Sequence, residues 1–542
     1  MKKFTSHSIG PRATADFKRV ISLPRRDAGE TGDAIVEAMT EWLKTPKGEQ
    51  KLRPLQALIL AEAADLGGAI GQLGVGVGKT HVSFLLGTVM EALRPVVLVP
   101  AKLRAKTLYE FAEIKKHWRE PENGIKIISY EEVSRQPDLL LRLGADLLIA
   151  DECQSLKNKN STRTKRFLQY WEYSQCAFVA MSGTLTNRSI FDWWHTQLIC
   201  LPDAKAVLPY HWPEANLWSR ALDEKIDDPC KLGALEHFGK DKDEARKGFG
   251  EFLKQTPGII VSEEQECPAT ITIDKDYFSS LKIAAALDTL YKKWELPDGA
   301  LLTEGSEIWS YARQISNGFF YSHEAAPLAW KEARKDFNSR VRKLLKRSKK
   351  YTSPAQIIEA YKDEPRYAPE FQRWFDIKDT FEPTSHPVWI TEGVLRYALY
   401  RVRGEKTLIW YEHQAVGQKL RELGLPVYGS EGLEISTGAS LVHAKKACGV
   451  SVLACSEGFN LQHFCYNIIL NCPPVGARWE QLLGRTHRSG QEYEEIISRL
   501  ILVSKTQKKD FGQALADAEY ISAMTGQKQK LLLADIITQN ER

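Results

Sequence analysis

The sequence has no paired-cysteine motif, no long apolar run and little net charge. Its nine cysteines never occur as C-x-x-C and their number is odd, so a structural zinc site and a disulfide framework are both disfavoured. No run of about 18 apolar residues occurs, and no apolar segment follows the basic start MKKFTSHSIGPRATADFKRV, which disfavours membrane insertion and secretion. We therefore expect a cytoplasmic protein with no membrane partner.

Charge and length set two further limits. With 74 basic and 69 acidic residues, the formal net charge is only +5 over 542 residues. A surface for nucleic acid must therefore come from local clustering of basic residues, because the total charge does not indicate one. A chain of this length, with 43% hydrophobic residues, is expected to form two or three domains of roughly 100–200 residues each.

A glycine-rich stretch, GQLGVGVGKT at residues 71–80, precedes an apolar run that is typical of a buried helix. Glycines at alternate positions, among them Gly76 and Gly78, let the backbone turn tightly, so that successive N–H groups can hold phosphate oxygens. Lys79 would add a point charge for the outer phosphates, and Thr80 a hydroxyl for Mg²⁺. We predict a phosphate-binding loop; a flexible glycine turn ahead of a helix is the alternative.

Two apolar runs end in polar residues. ADLLIADECQ is predicted to be a buried strand that ends in Asp151 and Glu152, and CAFVAMSGTLTN a strand that ends at Ser182 and Thr184. In open α/β sheets, ligands bind at the carboxyl ends of the strands. Downstream of a phosphate loop, Asp151 would hold Mg²⁺ and Glu152 would position and activate the attacking water. The alternatives are an ordinary turn for the acidic pair and a helix cap for the hydroxyl residues.

The alternation of strands and helices fades between about 200 and 385, where long stretches of helical pattern predict a mainly helical insertion. One of these helices has an apolar stripe on one face and ten Lys or Arg between residues 331 and 350, against two acidic residues. Such a surplus would repel itself without a polyanion nearby, and a solvated surface is the alternative. We predict contacts to nucleic acid through Arg340, Lys343 and Arg347.

The alternation returns in the last third of the chain. EKTLIWYEH, VSVLACSEGFNLQ and YNIILNCPP are predicted strands, and ISRLILVS is the last one. Between them RWEQLLGRTHRSGQ, residues 478–491, is predicted to form a helix with Arg485 and Arg488 on one face, because they lie three residues apart. The tail that follows residue 506 has a helical pattern and mixed charge.

Taken in order, these segments resemble the motifs of superfamily 2 helicase-type ATPases, and more narrowly those of the Swi/Snf family of double-stranded-DNA translocases. LRPLQ resembles that family's adenine-side motif, GVGVGKT its motif I, DECQSLKN its motif II and MSGTLTN its motif III. ARQISNGF is similar to a segment that precedes the second lobe, and CSEGFNLQ and QLLGRTHRSGQ resemble motifs V and VI. Departures from the family pattern are Leu73, Cys153, Gln154 and a shortened motif V region.

The resemblance implies two RecA-like parallel-sheet lobes with ATP in the cleft between them. The residues assigned to nucleotide binding are Gln56, Gly76, Gly78, Lys79, Thr80, Asp151 and Gln481. Glu152, Arg485 and Arg488 would be catalytic, the two arginines acting from the second lobe on the phosphoryl group. Asn460, with Ser182 and Thr184, is assigned to nucleic acid.

The predicted domains are an N-terminal extension at 1–45, an ATP-binding lobe at 46–200, a helical insertion at 201–385 and a second lobe with a helical tail at 386–542. The implied function is a DNA-dependent ATPase that couples hydrolysis to translocation on, or remodelling of, double-stranded DNA, with ATP and Mg²⁺ as cofactors. The alternatives are a strand-separating RNA or DNA helicase and a nucleotide-binding DNA-binding protein without motor activity. Partner proteins would set the task, and a bacterial or phage-infected cell is the expected setting.

Overall fold

The computed structural model describes residues 10–26, 33–74, 76–224, 226, 228–262, 267–302, 304–324, 326–348, 351–361, 369–382, 384–429, 432–455 and 458–538. In this part of the chain, two blocks of parallel strands and helices are separated by a mainly helical segment. No helix within these ranges combines the length and the apolar composition that a membrane span requires.

Fifteen strands lie within the described residues. They are β1 (Gly68–Gln72), β2 (Pro95–Val99), β3 (Lys126–Ser129), β4 (Leu147–Asp151), β5 (Ala177–Ser182), β6 (Ile259–Val261), β7 (Thr270–Tyr277), β8 (Phe319–His323), β9 (Ser385–Trp389), β10 (Thr407–Tyr411), β11 (Val427–Tyr428), β12 (Cys448–Ser451), β13 (Tyr466–Ile469), β14 (Glu495–Leu502) and β15 (Asp535–Thr538).

The helices of the same ranges are α1 (Ala15–Ile21), α2 (Asp33–Leu43), α3 (Pro54–Leu66), α4 (Lys79–Val89), α5 (Arg104–Ile114), α6 (Tyr130–Arg135), α7 (Leu139–Leu143), α8 (Thr162–Ser174), α9 (Trp194–Cys200), α10 (Trp212–Leu222), α11 (Lys242–Gln255), α12 (Leu281–Lys293), α13 (Gly305–Ser316), α14 (Leu328–Arg347), α15 (Pro354–Tyr361), α16 (Pro369–Ile377), α17 (Gly393–Tyr400), α18 (Gln414–Glu422), α19 (Val452–Cys455), α20 (Gly476–Thr486), α21 (Lys505–Thr525) and α22 (Lys530–Leu533).

The first lobe contains a parallel sheet of six described strands in the order β3-β2-β4-β5-β1-β6. Its central strands are buried on both faces, as strands covered by helices on each side must be. Parallel pairing brings the carboxyl ends of β1, β4 and β5 to one edge of the sheet. The predicted phosphate loop, acidic pair and hydroxyl residues therefore meet at that edge.

The second lobe contains a parallel sheet of seven described strands in the order β11-β12-β10-β13-β14-β7-β15. Helix α20, which follows β13, carries the two predicted arginines at its C-terminal end and just beyond. The predicted fold class, two parallel-sheet α/β lobes with a mainly helical segment between them, is confirmed.

The two sheets draw strands from the segment that was predicted to be a helical insertion. Strand β6 pairs with β1 in the first sheet, and β7 lies between β14 and β15 in the second. Both lobes therefore extend past the predicted boundaries at 200 and 385. Strand β6 has only three residues and gives little pattern, whereas β7, TITIDKDY, has the β-branched alternation of a strand and could have been recognised.

Helices α14, α15 and α16 form a satellite with its own small core. The core residues Phe337, Val341, Ile357 and Phe371 are buried against one another. The satellite contacts the first lobe through the buried Arg166, which bonds the hydroxyls of Thr352 and Ser353 ahead of α15. The apolar stripe predicted on the basic helix is thus the face that packs inside the satellite.

Helix α21, in the predicted tail, packs against both lobes. Asp517 of this helix is fully buried and pairs with Arg188 of the first lobe, 2.7 Å away, while it also accepts the backbone N–H of Gly476 at the start of α20. Three residues on, Tyr520 donates its hydroxyl to the buried Asp223 of the first lobe. The tail is therefore a structural bridge between the two lobes.

Candidate nucleotide-binding site

The predicted phosphate loop lies between β1 and α4 and has the backbone that its glycines permit. Gly76 and Gly78 have φ angles of 102° and 87°, in the region that side chains rarely adopt. Gly78 is the N-cap of α4, and a Cβ at this position would lie 2.3 Å from the Gln56 amide nitrogen. The loop therefore requires glycine at 78 both for its backbone angle and for space.

The side chain of Gln56, for which the sequence predicts an adenine contact, bonds the phosphate loop and the start of α3. The side chain is buried, its amide N–H donates to the Val77 carbonyl at 2.9 Å, and its oxygen accepts the Arg53 backbone N–H at 3.0 Å. The Arg53 guanidinium in turn donates to the Gly76 carbonyl. Hydrogen bonds from the LRPLQ segment thus hold the phosphate loop in this conformation.

A chain of polar contacts joins the loop to the ends of β4 and β5. The Lys79 ammonium lies 3.6 Å from a Glu152 carboxylate oxygen and donates to the Leu73 carbonyl. The other Glu152 oxygen accepts from the Gln154 amide at 2.7 Å, and Gln154 accepts from the Ser182 hydroxyl at 2.6 Å. Glu152 itself has a φ angle of 54°, a strained conformation of the kind found at functional sites.

The pKa values of the two adjacent carboxyl groups, Asp151 and Glu152, are shifted in opposite directions. Burial, and the neighbouring charge of Glu152, raise the pKa of Asp151 to about 7. Burial alone would raise the pKa of Glu152 as well, but Lys79 and the Gln154 amide together hold it below its ordinary value. Glu152 is therefore the carboxylate that stays ionised, as a group that orients or deprotonates water must be.

The residues near Asp151 fit a magnesium ion held jointly with phosphates. A buried carboxyl beside a second carboxylate is stabilised in its charged form by a cation, and a hydroxyl, Thr80, lies in the same cleft. Within the described ranges, no cluster of three or more His, Cys, Asp or Glu side chains could hold a metal alone. Mg²⁺ commonly takes one or two carboxylates and completes its shell with water and substrate phosphates, which suits this donor set.

The second lobe places both predicted arginines in the same cleft. Arg485 is buried, donates to the carbonyls of Gln481 and Phe459, and contributes to the low pKa of Glu152. Arg488 is half-buried and donates to the side-chain oxygen of Asn460. The cleft has a volume of about 420 Å³ and is lined from the first lobe by the phosphate loop and from the second by these arginines.

Of the residues that the sequence assigns to nucleic acid, Ser182 and Thr184 are buried and Asn460 lines the cleft. Ser182 is fully buried and Thr184 is 8% exposed, and the Ser182 hydroxyl bonds both Gln154 and the Thr184 backbone. Both residues are therefore buried in this conformation, and their contact with nucleic acid stays a prediction. Asn460 lines the nucleotide cleft and holds Arg488, so it belongs to the candidate nucleotide site.

Gln481, which is assigned to nucleotide binding, lies at the edge of the same region. With Thr184 and Arg485 it lines a small recess beside Lys79 and Glu152. It reaches this position because it precedes Arg485 by four residues on α20, one turn of helix away on the same face.

The basic helix α14 presents its charge to solvent. Lys343 and Arg347 are exposed, whereas Arg340 is half-buried and its Nε has no hydrogen-bond partner among the described residues. The two acidic residues of the helix both pair with Arg373 of α16, at 3.0 and 3.3 Å. Lys349 and Lys350, the last two basic residues of the predicted run, lie outside the described residues.

One cation of the cleft was missed in the sequence. Lys106 of α5 donates to the Gly458 carbonyl of the second lobe and lies 3.5 Å from Glu110. Burial lowers the pKa of Lys106, and Glu110 opposes that effect. The signal available was its place in PAKLRAK, at the start of the helix that follows the apolar run PVVLV, because ligands bind beyond the carboxyl ends of parallel strands.

The comparisons with known proteins concern the fold alone. No family model matches the chain, and no curated protein matches it in sequence. Among solved structures, the chain is similar to a variant of S. cerevisiae Dbp5 bound to RNA and ADP BeF3, with a TM-score of 0.42 and 11% identity over 94% of this chain and 93% of that one. Identity and score at this level carry no inference about activity.

Proposed function

We propose that the protein is an ATPase that couples hydrolysis to movement on double-stranded DNA. The observation that carries the proposal is the composition of one cleft: the phosphate loop and Glu152 come from the first lobe, and Arg485 and Arg488 come from the second. Binding a nucleotide requires the loop alone. A positioned carboxylate and arginines from a separate lobe are needed only when the terminal phosphate is transferred to water.

The roles follow from the contacts of each side chain. Lys79 contacts the outer phosphates, and Glu152, kept ionised by Lys79, orients the attacking water. Thr80 and Asp151 would hold Mg²⁺, which neutralises phosphate charge when it is bound. Arg485 and Arg488 stabilise charge that develops on the transferring group, an effect of roughly 10³–10⁵ in rate.

Movement would follow because hydrolysis needs the two lobes together. Arg485 and Arg488 reach the phosphates only when the cleft is closed, so each catalytic cycle ties lobe closure to chemistry. Repeated closing and opening shifts the lobes along a bound polymer. The exposed cations of α14 supply a surface for phosphates, and the Swi/Snf-like motifs favour duplex DNA as that polymer over RNA.

One experiment separates the proposal from its alternatives. ATP hydrolysis is measured without polymer and with single-stranded DNA, duplex DNA and duplex RNA, with Lys79→Ala as the inactive control. We expect the largest stimulation with duplex DNA, together with displacement of a triplex-forming strand and no separation of the duplex strands. Strand separation would favour a helicase, and ATP binding without hydrolysis under any condition would contradict the motor.

A further inference from the structure

The nucleotide cleft has a second wall that neither the phosphate loop nor the catalytic residues explain. Helix α5 contributes Tyr109 and Ile114 to this wall, and the segment that follows the helix contributes His117. Gln50, ahead of α3, and His81, in the first turn of α4, complete it. The wall therefore combines aromatic and apolar surface with a few polar groups, which is the composition of a small-molecule site.

Besides the carboxylates of Glu110 and Glu113, this part of the cleft has two hydrogen-bond donors, Gln50 and His117. The His117 Nδ1 accepts the Glu49 backbone N–H at 3.3 Å, so the neutral imidazole carries its proton on Nε2. The Gln50 side-chain oxygen accepts from the Trp118 indole at 2.8 Å, which leaves the two amide hydrogens of Gln50 available. Two donors at one wall match the ring-nitrogen acceptors of a purine.

The wall is held rigidly by buried groups. Trp118, the anchor of Gln50, is 1% exposed, and backbone hydrogen bonds tie Thr45 to His117 and Arg119 to Leu43. These pairs fix the segment ahead of α3 to the segment after α5. Donors that are fixed before a ligand arrives cost little ordering on binding.

We propose that this wall is the base subsite of the cleft, in which Gln50 and His117 donate hydrogen bonds to a purine base and Tyr109 stacks on it. The inference rests on the proposed function, since it takes the ligand to be a nucleoside triphosphate. The amide of Gln56 bonds the phosphate loop through its nitrogen and the start of α3 through its oxygen, so in this proposal Gln56 acts through the loop.

The test compares ATP with inorganic tripolyphosphate, which has the phosphates and no base. In the double variant Gln50→Ala, His117→Ala, affinity for MgATP should fall about tenfold or more, because two hydrogen bonds are lost, while tripolyphosphate affinity should stay within about twofold. Gln56→Ala should lower the affinity for both ligands to the same extent, because it removes a hydrogen bond that holds the phosphate loop. Gln418→Ala, His386→Ala, at two exposed positions away from the cleft, is the matched control and should change neither.

Tyr109→Ala is a second variant that tests the subsite without a risk of misfolding. Tyr109 is 69% exposed, so its removal leaves the core intact. It should lower the affinity for ATP and GTP and leave tripolyphosphate binding unchanged. If the wild type binds both ligands and neither the double variant nor Tyr109→Ala discriminates between them, the base subsite is wrong and the proposed function stands. If the wild type binds neither ligand, the proposed function itself fails.

Discussion

Removing the outward charge of helix α14 should weaken duplex DNA binding in a salt-dependent way. Lys331, Lys335, Arg342 and Lys346, which we call the outer stripe, recur at spacings of four, seven and four residues and so share one face of the helix. All four are exposed, and none pairs with a carboxylate of the described residues. The face lies opposite the side chains that pack in the satellite, so replacing it with glutamine should leave the fold intact.

The magnitude follows from the length and charge of the stripe. Its span of about 15 residues corresponds to about 22 Å of helix, enough to follow several phosphates of one groove edge. Each neutralised phosphate contributes roughly −0.9 to the log–log slope of affinity against salt, so the quadruple variant should lose up to about 3.6 of that slope. Between about 50 and 200 mM salt, the wild type should then lose on the order of 100-fold more affinity than the variant does.

The assay is duplex binding over a salt series, with hydrolysis in the absence of DNA as the check on folding. The matched control replaces Lys240, Lys247, Lys282 and Lys293 with glutamine, which removes the same charge at four exposed positions outside the satellite. The control should keep the wild-type slope. Equal slopes in the wild type and the stripe variant would refute the role of the outer stripe and leave its charge as a solvated surface. The loss should not depend on base sequence, because phosphate contacts do not distinguish bases.

Four further outcomes are expected. Glu152→Gln should stop turnover and leave MgATP affinity largely unchanged in equilibrium binding, since the carboxylate acts on water; normal turnover would contradict its role. Arg488→Ala should lower the single-turnover rate by roughly 10³-fold or more at unchanged affinity. Arg188→Ala leaves the buried Asp517 without its cation and should destabilise the protein by roughly 1–3 kcal/mol in thermal unfolding, unlike the exposed Arg142→Ala. Burial and the ammonium group of Lys530 lower the pKa of His487 from 6.5 to about 4. Between pH 6.5 and pH 4, the unfolded chain therefore binds a proton at this imidazole that the folded protein does not bind. Stability should therefore decline by up to about 3 kcal/mol as the pH falls from 6.5 to 4, and His487→Gln should flatten that decline.

The local parts of the site could be predicted from the sequence because each depends on a few adjacent residues. The phosphate loop needs glycines at fixed positions and a following helix, and both are visible in one short segment. The acidic pair needs only an apolar strand before it. In each case the side chain's position is set by the backbone of its own segment, so the pattern was sufficient to place Lys79 and Glu152 at the same edge of the sheet.

The contacts that the sequence does not indicate involve partners from distant segments. The amide of Gln56 bonds the Val77 carbonyl, 21 residues on, and nothing in LRPLQ indicates that this bond competes with a base contact. The resemblance to CSEGFNLQ assigns Asn460 to nucleic acid, and the bond from Arg488, 28 residues away, is not visible in that motif. The resemblance to MSGTLTN likewise assigns Ser182, whose burial depends on the packing of β4 and β5.

The segment from Thr525 to Lys530 was unremarked in the sequence, yet it touches both halves of the cleft. Gln72, at the end of the strand that leads into the phosphate loop, donates to Thr525 and Gln527. A few residues on, the Lys530 side chain lies 3.2 Å from His487 and its backbone N–H bonds Glu480, so it contacts the helix of the arginines.

These contacts constrain how the cleft can open. Because one short segment is bonded to the strand before the phosphate loop and to the helix that carries Arg485, the two cannot separate without breaking buried hydrogen bonds. Such bonds are costly to leave unmade, so this segment resists a simple parting of the strand and the helix. Under the proposed function, the same segment would help to return the arginines to the phosphates after each opening of the cleft.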